Sequence, residues 1–70
     1  MMLAMPLDTD LMEARRKRLG LTQQEAAKRA KLPGKSYWAD IVSGRRSNVT
    51  VEVLDNIAQA LGVSPKELVK

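Results

Sequence analysis

Residues 21–46, LTQQEAAKRAKLPGKSYWADIVSGRR, hold two short helical patterns separated by a breaker and followed by a polar loop. Thr22 is an N-cap residue and Glu25, three positions on, completes a capping box. A helix is therefore expected from Gln23 to about Lys31. Its apolar residues are Ala26, Ala27 and Ala30, small enough for a second helix to approach closely. Leu32-Pro33-Gly34 ends it, because proline disfavours helical backbone at Leu32 and Gly34 permits a tight turn. The next helix is expected over about 35–43. At 100° per residue, Tyr37, Trp38, Ile41 and Val42 share one arc, while Lys35, Ser36, Ala39, Asp40 and Ser43 share the other. Gly44 stops that helix, and Arg45-Arg46-Ser47-Asn48 follows as a polar loop. Two helices crossing at a turn are thus the centre of the fold. The second turns outward a polar face for which so short a chain offers no evident internal partner.

The flanking sequence is helical too. Leu11, Met12 and Leu19 give an inner face to a helix from about Asp8 to Leu19, stopped by Gly20. Asp8 and Asp10 at its start, and Arg16, Lys17 and Arg18 at its end, match the helix dipole. Leu54, Ile57, Ala58 and Leu61 repeat at i, i+3, i+4, i+7 after Thr50, and Gly62 closes that segment. Ser64, Pro65 and Glu67 mark one last short helix. No strand pattern and no internal repeat is evident. The expectation is a compact all-α domain of five helices over residues 8–70, preceded by a flexible arm over residues 1–7.

Composition narrows the chemistry. Seventy residues make one domain, near the lower limit for a self-sufficient core. The chain has neither cysteine nor histidine, so disulfides, thiolate nucleophiles, the commonest general base and the commonest zinc ligands are absent. No acid–base pair, metal cluster or glycine-rich phosphate loop is evident. No enzyme activity, no cofactor and no metal are expected. No apolar run reaches the roughly 18 residues of a membrane span. Met1 to Pro6 has no basic start and no long hydrophobic centre, and a cytoplasmic chain is expected. The net charge of +4 is unevenly spread. Residues 15–46 carry ten Lys or Arg against Glu25 and Asp40, whereas residues 1–14 and 47–70 are net acidic. A basic block with acidic flanks suits a polyanion bound on one face. Its plain alternative is a solvated surface rich in Lys and Arg.

The ordered set Arg16, Gly20-Leu21-Thr22-Gln23, Glu25, Ala27, Ile41, Gly44-Arg45-Arg46, Leu54, Ile57-Ala58, Ala60-Leu61-Gly62-Val63-Ser64-Pro65 and Glu67-Leu68 carries a resemblance. It resembles the small helix-turn-helix regulators of the phage lambda and 434 repressor and Cro type, the xenobiotic-response-element family, over about residues 11–69. The resemblance implies a repressor-like domain that binds double-stranded DNA with its third helix in the major groove. It implies a transcriptional regulator, a repressor, working as a homodimer on half-sites about 34 Å apart. Lys35, Ser36, Ala39 and Asp40 then fall at base-reading positions. Lysine donates to guanine, serine pairs with several bases, alanine meets a thymine methyl, and a carboxylate accepts from cytosine N4. The plain role for Asp40 is an ion pair that orients Lys35 or an arginine. Thr22 and Gln23 fall where the family grips phosphate, at a helix N-terminus that attracts anions. Tyr37, Arg45, Arg46 and Asn48 are further phosphate candidates. Tyr37 could reach a phosphate through its hydroxyl but is read first as half-buried packing, Trp38 is read as core, and Arg15 to Arg18 as mostly a solvated face.

Three departures from the family stand out. The turn between the central helices is one residue longer, with Pro33-Gly34 inserted. Val42 stands where the family often has a glutamate that pairs with the arginine matched by Arg16, so Arg16 needs another partner, such as Glu25, or faces solvent. Trp38 replaces a smaller aliphatic residue. The dimer surface is not readable, with Leu68, Val69 and the apolar stretch from Met1 to Leu7 as candidates. The other class of function open to such a chain is a protein-interaction module, such as the antitoxin half of a toxin–antitoxin pair. A toxin or a polymerase would then be the protein partner.

Overall fold

The structure, a computed structural model, describes residues 2–3, 7–46 and 49–69. Its elements in chain order are β1 (Met2–Leu3), α1 (Thr9–Arg18), α2 (Gln23–Arg29), α3 (Lys35–Ser43), β2 (Val49–Thr50), α4 (Val51–Leu61) and a 3-10 turn at Pro65–Leu68. The described part is therefore mostly helical, with four α-helices rather than five. The expected fifth is only four residues long and closes with i→i+3 bonds, Glu67 N–H to Ser64 O and Val69 N–H to Lys66 O. Such bonds are what a segment too short for an α-helical ladder can make.

Caps set most of the boundaries. Asp8 accepts from Leu11 N–H to start α1, and Thr50 accepts from Val53 N–H to start α4. Glycine sits in the left-handed region after α1, where Gly20 has φ +72°. There Leu21 N–H reaches Arg16 O and Gly20 N–H reaches Lys17 O, the paired bonds of a Schellman ending.

α2 ends two residues earlier than its sequence pattern suggests, and by the same device on a different residue. Lys31 takes φ +59°, Leu32 N–H bonds Ala27 O and Lys31 N–H bonds Lys28 O. The left-handed residue of the central turn is thus a lysine. Gly34, for which the tight turn seemed made, is the N-cap of α3 in an extended conformation open to any residue.

The core joins Met12 of α1, Ala26, Ala27 and Ala30, Trp38 and Ile41 of α3, Val49, five residues of α4 and Leu68. Trp38 is completely buried. The three alanines of the α2 segment leave room for it, so one large side chain meets a face of small ones. Leu19, expected inside, is instead among the most exposed apolar residues, because it is the C-cap where the chain leaves α1. Leu68, a candidate for the dimer surface, is fully buried within the chain and so offers no surface to a second copy. Although no strand pattern was evident, Met2–Leu3 pairs antiparallel with Val49–Thr50 (Met2 opposite Thr50, Leu3 opposite Val49). A further bridge joins Leu7 to Val69.

Candidate nucleic-acid interface

Burial fixes the rotation of α3. With Trp38 and Ile41 turned inward, Lys35 and Ser36 are exposed, and Ala39 and Asp40 are half-buried at the margin of the same face. The four candidate base-reading residues therefore share the outward side of one helix. The only side-chain hydrogen bond described on that side comes from Ser43 Oγ, which donates to Asp40 O at 3.2 Å. Gly34 supplies no side chain to cap the helix; Tyr37 N–H turns back to Gly34 O at 3.1 Å, and the Lys35 and Ser36 N–H groups are left open to an outside acceptor. The ion pair considered for Asp40 does not form: among the described residues the one salt bridge lies elsewhere, between Glu13 and Arg16.

The loop beyond α3 folds back on it. Arg46 N–H donates to Asp40 O at 3.0 Å, and the Arg46 guanidinium stands 4.1 Å from the centre of the Tyr37 ring. A cation over an aromatic face is attracted by the ring quadrupole. Tyr37 is accordingly half-buried and roofed by arginine. Arg45 is exposed. Asn48 lies outside the described residues. Pro33, Gly34, Ser36, Tyr37, Asp40 and Arg46 together line a shallow cleft at the entrance to α3.

The start of α2 is more elaborately held. Thr22 Oγ1 accepts from Glu25 N–H at 3.1 Å, and Thr22 N–H donates to Glu25 Oε1 at 2.8 Å, closing the expected capping box. The Thr22 hydrogen bonds, backbone first, hold the Glu25 carboxyl below its usual range. Gln23 turns its side chain toward α1, where Nε2 donates to Glu13 Oε1 at 2.7 Å.

Glu13 is the residue that sequence reasoning missed. Arg16 pairs with it, and not with Glu25, which is engaged at its own cap. Arg16 also donates through Nη1 to Leu21 O at 2.6 Å. Burial works to raise the Glu13 pKa, but hydrogen bonds from Arg16 and Gln23 and the charge of Arg16 outweigh it, and the carboxyl stays below its usual range. The indole nitrogen of Trp38 is buried nearby without a hydrogen-bond partner. The Glu13–Arg16 spacing of three residues was visible in the sequence. The approach of Gln23, ten residues on, required knowing where the turn after α1 places the start of α2.

The basic block is not one solvated face. Arg15 reaches the end of α4, with Nη2 at 3.4 Å from Leu61 O and 3.5 Å from Gly62 O. Arg16 is committed to Glu13 and Leu21. Lys17, Arg18, Lys28, Arg29, Lys31, Lys35, Arg45 and Arg46 remain exposed. Among the described residues no group of acidic side chains could hold a metal ion, and no helix is long and apolar enough to cross a membrane.

Residues 10–69 match a family model described as a helix-turn-helix domain. Among solved structures, the chain is similar to that of SinR, described as the master regulator for biofilm formation and solved in complex with DNA. The two are 26% identical with a TM-score of 0.74, over 83% of this chain and 90% of that one. No curated protein matches.

Proposed function

Since the chain belongs to the helix-turn-helix domain family, we propose that it is a sequence-specific, double-stranded-DNA-binding transcriptional regulator that acts as a repressor. The observation that carries this reading is the phase of α3. Trp38 and Ile41 anchor one side, and the opposite side presents Lys35, Ser36, Ala39 and Asp40 beside the Arg45-Arg46 loop. α3 lies in the major groove, Lys35 and Ser36 read base edges, and Asp40 accepts from a cytosine amino group. Thr22, Gln23, Tyr37, Arg45, Arg46 and Asn48 contact phosphates. The similarity to SinR supports the reading, because that structure was solved with DNA. The function is binding alone, with no catalysis and no cofactor, in the cytoplasm.

The described residues span 29 × 22 × 18 Å, less than the roughly 34 Å between major-groove half-sites one turn apart. In this reading one copy addresses one half-site, and a homodimer addresses a palindrome. Selection of preferred sites from random duplex DNA tests the whole reading. The expected outcome is a defined site with two-fold symmetry, bound with an affinity whose logarithm falls linearly with log salt, by several units of slope. No binding at low salt would overturn it and favour the antitoxin-like interaction module.

A further inference from the structure

We infer that Glu13 is the positioning residue for the phosphate contact of Gln23, an inference that rests on the reading that Gln23 grips the DNA backbone. The two oxygens of Glu13 are divided between two elements. Oε2 takes Arg16 Nε from its own helix, and Oε1 takes Gln23 Nε2 from the first residue of α2. An amide nitrogen carries two hydrogens. With one committed to Glu13, the plane of the Gln23 amide is fixed and the second hydrogen has a defined direction. The carboxylate also decides which end of the amide faces it. The flipped amide would set its oxygen against an anion, so Nε2 is held in the donating orientation that a phosphate oxygen needs.

Arg16 completes the arrangement. Its bond to Leu21 O ties the residue before the cap to the same side-chain set. α1, the turn and the start of α2 are thereby joined through one set of side-chain hydrogen bonds. The Glu13 and Arg16 side chains keep only 19% and 14% of their exposure, so the pair is poorly screened and the geometry well determined. Arg16 also neutralises a carboxylate that would otherwise repel the phosphate Gln23 addresses. Val42 leaves Arg16 with no acid from α3, and the acid supplied by α1 serves a second purpose.

The test is a double-mutant cycle on DNA affinity, using the full chain and a duplex carrying its selected site. Thermal melts of every variant come first, and binding is read at a temperature where all are folded. Gln23→Ala should weaken binding roughly tenfold, as loss of one oriented hydrogen bond does. Glu13→Ala should weaken it by a similar factor, and the double variant should bind no worse than Gln23→Ala alone. Glu13→Gln, which retains an acceptor for Gln23, should stay within about twofold of the parent. Should Glu13→Ala fail to fold, Glu13→Met fills the space without an acceptor and carries the same expectation. Additive losses in the cycle would overturn the inference. So would tighter binding by both Glu13 variants, which would mean that the carboxylate merely repels DNA. If Gln23→Ala binds its site as well as the parent, the inference fails while the DNA-binding reading stands; if the parent binds no duplex, both fail.

Discussion

The two turns that flank α2 do the same backbone job with opposite degrees of restraint. Each ends a helix with a left-handed residue and the paired bonds of a Schellman motif. At the first, the residue is Gly20, and the exit is tied by Arg16 to Leu21 O, by the Thr22–Glu25 box and by Gln23 to Glu13. At the second, the residue is Lys31, strained by its side chain, and α3 begins at Gly34 with no side-chain cap. The contrast separates two tasks. On the proposed reading, the end that would grip backbone is fixed in advance, whereas the entrance to α3 leaves the Lys35 and Ser36 N–H groups without a side-chain cap. What holds α3 in place is packing, above all Trp38.

Removing that packing should therefore have the largest effect. Truncating a buried tryptophan costs about 3–5 kcal/mol, much of the 5–15 kcal/mol that stabilises an ordinary small domain. Trp38→Ala should largely unfold the chain, seen as loss of helical circular dichroism together with loss of DNA binding. In the parent, Trp38 fluorescence should be blue-shifted and resistant to iodide. A variant that stays folded yet loses DNA binding would place Trp38 on the nucleic acid and reverse the face of α3.

Next in size are substitutions on the open side of the comparison. Lys35→Ala should relax preference at one base pair, with a loss of about 1–3 kcal/mol against the best site. Arg45→Ala and Arg46→Ala should weaken all duplexes alike and lower the salt slope by roughly one unit each. Site selection with Lys35→Ala that returns the parent sequence would show that the long turn shifts which residues of α3 reach the bases.

The turns themselves can be exchanged. Gly20→Ala places a Cβ at φ +72° and should destabilise by about 1 kcal/mol, although no neighbouring atom lies within 4 Å of that Cβ. Lys31→Gly relieves the same strain and should stabilise by about 1 kcal/mol. Equal denaturation midpoints for parent and Lys31→Gly would mean that the lysine earns its place by some contact absent from the described residues.

The smallest effect is with pH. Glu13 and Glu25 both have folded pKa values below the ordinary 4.5. A depressed carboxyl contributes stability that is complete above its unfolded value and is lost as pH falls through the folded one. With no histidine in the chain, the melting temperature should be flat from about pH 8 to 5 and fall below about 4.5. Glu13→Gln should shallow that fall.

The inner arc of α3, the capping boxes and the stops at Gly20, Gly44 and Gly62 were legible because each is set by residues within one turn of one another. Residues that depend on how helices cross were not. Gln23 was marked for phosphate without its partner, since Glu13 meets it only where the turn after α1 brings the start of α2 back toward that helix. Arg15 and Arg16 looked like solvent-facing cations, yet the Arg15 guanidinium reaches carbonyls at the end of α4 and that of Arg16 the Leu21 carbonyl in the turn before α2. The left-handed lysine was hidden by a glycine three residues later that draws the eye. The pairing of Met2–Leu3 with Val49–Thr50 has no alternation long enough to announce it. Of the candidate site, the polar face of α3 was readable from helical phase alone, and its support was not.

Arg46 is already seated over Tyr37 before any ligand arrives. A long flexible side chain ordinarily surrenders rotamer freedom when it closes on a phosphate, on the order of 0.5–1.5 kcal/mol. Here part of that entropy is lost on folding, and the ring acts as a rest position from which the guanidinium needs only a short displacement. The loop beyond α3 thus enters an encounter with its charge already localised at the rim of the cleft. Association should then be governed by how fast the two surfaces meet more than by how long a searching side chain takes to find its place.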